Sequence, residues 1–318
     1  MINLPKIVSL PLRMKWIFLA LISSFFLGLY DISKKRSLEG NNVLMVLFLN
    51  TLFCAIIFIP LIIASHLCRM EGFCTSFEQS QFYVPEGNLI THITVFIKAI
   101  IVLVSWVLGY YGLKNMPITL AGPINATRPV LVLLGAVTLF GERLNVWQWL
   151  GVALAIVSFY LLSHTGKREG ISFVRNKWVW CCMGGTFMGA VSGLYDKWLM
   201  ADLSPVFVLS WYVVYQAFIM GILVWVLHKR HNNNRISFTW RWSILLISVC
   251  LSIADFVYFT SLSIDGSLIS VISMLRRCSV LVSFAYGAWV LKEKNIRAKS
   301  VDLALILMGL AFLVAGSV

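Results

Sequence analysis

The sequence predicts an all-α membrane protein with ten transmembrane helices arranged as two inverted five-helix repeats. Three observations lead there. Apolar residues make up 59% of the 318 residues and charged residues only 12%, against about 45–50% and about 25% in soluble domains. A soluble core of this size has no room for so much apolar surface, so lipid must solvate most of it. The apolar residues also fall in runs of about 20, the length that crosses a bilayer as a helix. Such runs are too long and continuous for barrel strands, which alternate over about ten residues. Finally, the chain repeats itself. Gly28-Leu29-Tyr30-Asp31 closes the first apolar run and Gly193-Leu194-Tyr195-Asp196 closes the sixth, while Leu113 answers to Leu262 and Arg128 to Arg277, each pair 149 residues apart. A repeated block with an odd number of crossings lies upside down relative to its twin.

The expected spans are 15–36, 42–65, 89–112, 117–140, 146–164, 178–199, 204–227, 241–262, 266–291 and 299–317. Each must be helical, because lipid offers the backbone no other partner short of a closed barrel. The first has basic residues at both ends and no small-residue cleavage motif after it, so it reads as a retained anchor. A polar segment near 66–88 follows the second and makes the first half longer, which accounts for the offset of 165 at Asp31 and Asp196. Cys68 and Cys74 share this segment and would pair if it faced an oxidising compartment. The fourth span carries Pro117, Pro123 and Pro129 at six-residue intervals. Each proline frees a carbonyl, which a membrane tolerates where a cavity or neighbouring helix receives it. The polar, basic connector opening His164-Thr165-Gly166-Lys167-Arg168 is the natural boundary, giving units 1–165 and 166–318. In the sixth span, Gly189 and Gly193 form a helix-packing spacing beside Gly184 and Gly185.

The net charge of +13 does not point to nucleic acid, because the basic residues sit in short runs between apolar segments, a topology signal. Apart from Lys98, Arg128, Arg276 and Arg277, which fall well inside helices, Lys6, Arg13, Lys15, Arg69, Arg143 and Lys197 lie on the side of the N-terminus and the other 16 basic residues lie opposite. The positive-inside rule makes that opposite side cytoplasmic and puts both termini outside. No cysteine spacing suits a metal, and no cofactor is expected. No zinc-protease, nucleophile-elbow or nucleotide-binding-loop motif occurs, so the chain reads as a non-enzyme that hydrolyses no ATP by that route.

Charges placed in mid-membrane face a cavity or a partner. Asp31, Lys98, Arg128, Asp196, Asp255, Arg276 and Arg277 are of this kind. Asp31 has Lys34 and Lys35 at the spacing where helical side chains meet, so a structural ion pair and a functional site are equally good accounts of it; Asp196, close to its helix end, is equally open. Lys34, Lys35 and Lys197 read as snorkelling or paired ends. Arg128 and Arg277 occupy matched positions, and arginine forks suit carboxylate or phosphate. The substrate-binding candidates are therefore Arg128, Arg277, Arg276 and Asn125, with Tyr30, Tyr195, Trp106 and Tyr258 as apolar lining or interfacial belt. The ion-coupling candidates are Asp255, Lys98, Asp31 and Asp196. Asp255 is the candidate proton carrier, since burial favours the neutral acid, with Lys98 as its candidate partner.

The chain resembles the EamA-like branch of the drug/metabolite transporter superfamily. The resemblance rests on the ten-helix repeat, on the Gly-x-x-Asp ends, and on the passage from Pro129 through Gly141-Glu142-Arg143-Leu144. The second-half counterpart of that passage departs from it with Lys292-Glu293-Lys294. The resemblance implies export or exchange of a small metabolite, with helices one, three, four, six, eight and nine around a central cavity. It also implies cytoplasmic termini, contrary to the basic-residue count, so orientation stays open. Glu142 and Glu293 read as residues of a helix turn. The expectation is a gradient-driven secondary transporter of a small polar or anionic metabolite in the plasma (inner) membrane, as a monomer or homodimer, with the bilayer, a small-molecule substrate and a coupling proton as partners. A phosphate-bearing or lipid-linked sugar substrate is the second reading. A non-transporting scaffold or sensor is the third.

Overall fold

The computed structural model describes residues 12–71, 75–78, 80, 82–140, 145–168, 174–200, 202–230, 238–262, 264, 272, 275–293 and 295–316. Among the described residues there is no strand. The helices are α1 (Leu12–Leu38), α2 (Val43–Glu71), α3 (Thr75–Glu78), α4 (Leu89–Asn115), α5 (Ile118–Ala126), α6 (Arg128–Phe140), α7 (Val146–Arg168), α8 (Lys177–Leu199), α9 (Pro205–Arg230), α10 (Trp242–Leu262), α11 (Ser279–Trp289) and α12 (Ile296–Ala315). Among the described residues, six stretches are long and apolar enough to cross a membrane: Lys15–Leu38, Val43–Met70, Leu89–Asn115, Ile118–Gly135, Pro205–Val226 and Trp242–Ser261. α7, α8 and α12, of 23, 23 and 20 residues, fall outside that set; in α8, glycines dilute the apolar run. Most of 263–274, where the ninth expected span begins, lies outside the described residues, as do Cys74 and Glu142.

Large apolar side chains such as Leu89, Ile90, Ile156, Phe218 and Leu246 face outward. Such a surface is an aggregation hazard in water and is at rest in lipid. The chain is a multi-pass membrane protein.

Helix ends follow local chemistry. Asn88 and Asn176 accept from the backbone N–H of Thr91 (2.8 Å) and Trp178 (2.9 Å) at the starts of α4 and α8, satisfying donors that a first turn leaves open. Asn145 and Gln148 cap α7 reciprocally, at 2.9 and 3.0 Å. Gly40, with φ +74°, follows the end of α1 in the left-handed region that suits glycine.

The fourth expected span is not one helix. It breaks at Thr127, between α5 and α6, because Pro129 has no N–H to continue the ladder. The chain crosses the break on short-range bonds, Thr127 N–H to the Ile124 carbonyl (3.2 Å) and Val130 N–H to the Thr127 carbonyl (3.0 Å). The corresponding point in the second half also breaks, without a proline. A helical turn at 275–277 ends at Cys278, where Cys278 N–H meets the Leu275 carbonyl (3.0 Å) and Leu281 N–H the Cys278 carbonyl (2.9 Å). Arg128 opens the helix after the first break, and Arg277 immediately precedes the second.

α1 packs along α10 and α4 along α8. α1 also meets α11, and α6 meets α8. α2 lies against α9 and α10, α9 reaches α4, α5 packs on α11, and α7 on α12. The α4–α8 approach depends on Gly185: a Cβ there would sit 2.9 Å from the Gly109 nitrogen and 3.0 Å from the Ser105 carbonyl oxygen. Both obstacles are backbone, and backbone cannot rotate aside. Ser105 Oγ donates across the same seam to the Gly185 carbonyl (2.7 Å). Gly185→Val should destabilise the protein by about 1–3 kcal/mol through overpacking, read as a lower midpoint of thermal unfolding in detergent. An unchanged midpoint would mean the helices do not approach this closely.

Candidate functional site

Side chains from seven of the expected spans converge on one central cavity. α4 contributes Lys98, Ser105, Trp106 and Tyr110, spaced so that they share one side of the helix. α8 turns Gly185, Gly189, Ser192, Gly193 and Asp196 to the cavity, and α10 turns Leu251, Asp255, Tyr258 and Phe259. Tyr30, Asp31 and Lys34 come from α1, Asn125 and Arg128 from the first broken helix, and Arg276 and Arg277 from the second break. α9 adds Tyr212.

Of the twelve candidate residues, eleven line this cavity. Tyr195 does not. Its hydroxyl donates to the Thr94 carbonyl (3.1 Å) and its ring packs against Trp198, at 5.4 Å between centroids. One helical residue separates Tyr195 from Asp196, and that rotation puts the tyrosine in the α4–α8 seam while the carboxylate enters the cavity. The repeat-based equivalence with Tyr30 does not hold at this position.

The expected partnership of Lys98 with Asp255 is also corrected. Lys98, only 2% exposed, pairs with Asp196. Asp255 pairs instead with Arg276, and its second oxygen accepts from the Tyr212 hydroxyl (2.8 Å). The Arg276 guanidinium lies 4.1 Å over the Tyr258 ring, a further stabilisation for a desolvated cation. Asp31 accepts from Lys34 at 2.7 Å, within one helix, and the same ammonium lies 4.3 Å from the Tyr30 ring centroid and 5.1 Å from that of Tyr110. Lys35 turns away from the cavity and donates to the carbonyls of Leu113 (2.8 Å) and Met116 (2.6 Å), closing the end of α4.

Arg128 and Arg277 have no ion-pair partner among the described residues, and the Nε of each is buried without a hydrogen bond. Room for Arg128 comes from Gly189, since a Cβ there would collide with the guanidinium. Helix-packing spacing alone marked Gly189 as a contact between helices; its role beside Arg128 was invisible without the neighbouring helix. Tyr212 was also missed, because nothing near it in sequence is charged. Asn125 accepts from the Thr186 hydroxyl (3.0 Å), which ties the break to α8.

Glu293 is not part of the cavity. Its carboxylate accepts from the backbone N–H groups of Ile118 (2.9 Å) and Thr119 (3.1 Å) and from the Thr119 hydroxyl. It thus caps the N-terminus of α5, where a negative charge suits the helix dipole. This agrees with its reading as a residue of a helix turn.

Lys98 and Asp196 are a sensitive point, because removing one member of a buried ion pair leaves the other uncompensated. Lys98→Met should cost about 3–5 kcal/mol of stability. Adding Asp196→Leu should restore most of that loss. Thermal unfolding of the two single variants and the double variant in detergent checks the coupling, and strictly additive effects would show that the pair does not form.

Residues 14–164 match the EamA-like transporter family model. The family resemblance is therefore shown over the first half of the chain, and the family is one of membrane transporters. No curated protein matches the chain. Among solved structures, one described only as "Crystal structure of protein" is 16% identical and aligns with a TM-score of 0.62 over 95% of this chain and 98% of that one. At that identity the likeness is one of fold.

Proposed function

We propose that the protein is a gradient-driven secondary transporter of a small anionic metabolite, built from two inverted five-helix units, 1–165 and 166–318, around the central cavity. The observation that carries this reading is the pair of half-buried arginines, each with a buried, unbonded Nε and no ion-pair partner among the described residues, at matched helix breaks in the cavity wall. Discontinuous helices at a repeat interface are where transporters of this architecture bind substrate.

Helix packing supports the two-unit reading. Exchanging the first five spans for the second five turns the α1–α10 pair into α8–α4, and α1–α11 into α8–α6. It carries α2–α10 into α9–α4 and leaves α2–α9 and α7–α12 in place. That is the behaviour of a pseudo-two-fold axis.

The guanidiniums hold the anionic group of the substrate, and Trp106, Tyr30 and Tyr258 pack its remainder. Asp31, Asp196 and Asp255 are the candidate sites for a coupling proton, each requiring release of its present cation. The membrane is the plasma membrane. Labelling a C-terminal tag from outside distinguishes the orientation implied by the basic residues from the one implied by the family.

Counterflow into proteoliposomes against a library of metabolites tests the function. Uptake should be found for anionic solutes and should fall to background in Arg128→Gln and in Arg277→Gln, while both variants keep the wild-type elution profile in detergent. Uptake unchanged in the two variants would refute the site. No counterflow of any solute would favour a scaffold role.

A further inference from the structure

The cavity's own charge balance specifies the valence of what enters it. Eight ionisable side chains of opposite kinds line it: the cations Lys34, Lys98, Arg128, Arg276 and Arg277, and the carboxylates of Asp31, Asp196 and Asp255. Five against three leaves a surplus of +2. The surplus is localised, because Lys34, Lys98 and Arg276 each hold one of the three carboxylates. It resides on Arg128 and Arg277, whose Nε groups are buried and unsatisfied. Uncompensated charge at membrane depth is strongly unfavourable. A monoanion would neutralise one guanidinium and leave the other exposed to the same penalty.

We infer that the ligand carries two negative charges: the site is built for a divalent oxyanion, either a phosphomonoester or a dicarboxylate, held jointly by Arg128 and Arg277. This rests on the anion reading of the cavity and adds its valence. Both guanidiniums are forks, each able to meet two oxygens. Bridging them needs oxygens spread over one phosphate group or over two carboxylates, which is why both chemistries share the prediction. In this structure Lys34, Lys98 and Arg276 are each paired with an aspartate, so the discrimination rests on the two unpaired arginines.

The test uses the purified full chain in detergent at pH 8 and constant ionic strength, with ligand protection against thermal unfolding as the readout. Two matched pairs of probes separate charge from shape and phosphate from carboxylate: methyl phosphate against dimethyl phosphate, and glutarate against its monomethyl ester. At pH 8 a phosphomonoester is essentially dianionic, since its second ionisation lies near pH 6. In at least one pair, the dianion should protect at a concentration at least about tenfold lower than its monoanionic partner, as expected when one more charge-assisted contact forms. The pair that discriminates identifies the oxyanion chemistry.

Arg277→Gln, and separately Arg128→Gln, should abolish the advantage of the dianion over its monoanionic partner. Arg277→Lys should keep the preference, which a merely structural arginine would not require. If either Gln variant fails to fold, the other together with Arg277→Lys decides the matter. Equal protection by monoanion and dianion in the wild type, or a dianion preference that survives both Gln substitutions, overturns the valence assignment while leaving anion transport standing. Absence of protection by all four probes overturns both the valence and the anion reading.

Discussion

A charge held inside a membrane must meet an opposite charge, and most of this structure is arranged around that requirement. Lipid cannot solvate Lys98, Asp196, Asp255 or Arg276, so the helices carrying them are drawn to one another. The α4–α8 contact is closed by Lys98 with Asp196, and the carboxylate of α10 is joined to the second helix break by Asp255 with Arg276. Tyr212 brings α9 into the same network through its bond to Asp255. Where the requirement is not met, at Arg128 and Arg277, the protein departs from its own rule at two helix breaks. Departures of that kind are expected at functional sites.

The same two points are where the backbone departs from regular helix. At Thr127 the cause is local and chemical: a proline two residues on cannot donate. At Cys278 there is no proline, and the chain still takes the shorter-range bonding of a tight turn. Two different local sequences thus reach one geometry. Each broken helix presents an arginine from a helix end, and both arginines line the space between helices. Glycine completes the arrangement from the other side. Gly189 leaves the volume that the Arg128 head occupies, and Gly185 lets α8 lie against the α4 backbone. The glycines of α8 therefore serve two purposes that spacing alone does not separate, one toward a neighbouring backbone and one toward a cation.

Much of this was legible in the residues. Composition and run length call for helices in lipid, and the outward apolar side chains of α4, α7, α9 and α10 agree with it. The depth of Asp31, Lys98, Arg128, Asp196, Asp255 and Arg277 in their spans marked them as facing a cavity or a partner, and they line one cavity. Position along a helix is readable because the rise per residue is constant. Rotation about the helix axis is readable only as far as polarity varies around it, and in an apolar helix it barely varies. Tyr195 shows the limit: its neighbour Asp196 enters the cavity while its own ring turns into a seam, against the analogy with Tyr30.

What the sequence by itself determined is the class of solvent, the helical state, and which ionisable groups lie at membrane depth, since each follows from counting along the chain. Only the tertiary structure decided which charge answers which. Lys98 meets Asp196 and not Asp255, Arg276 meets Asp255, and Arg128 and Arg277 meet neither. Pairing is a contest among groups brought together from different helices, settled by distances of a few ångströms across contacts such as Gly185 on Gly109. No spacing along the chain encodes those distances.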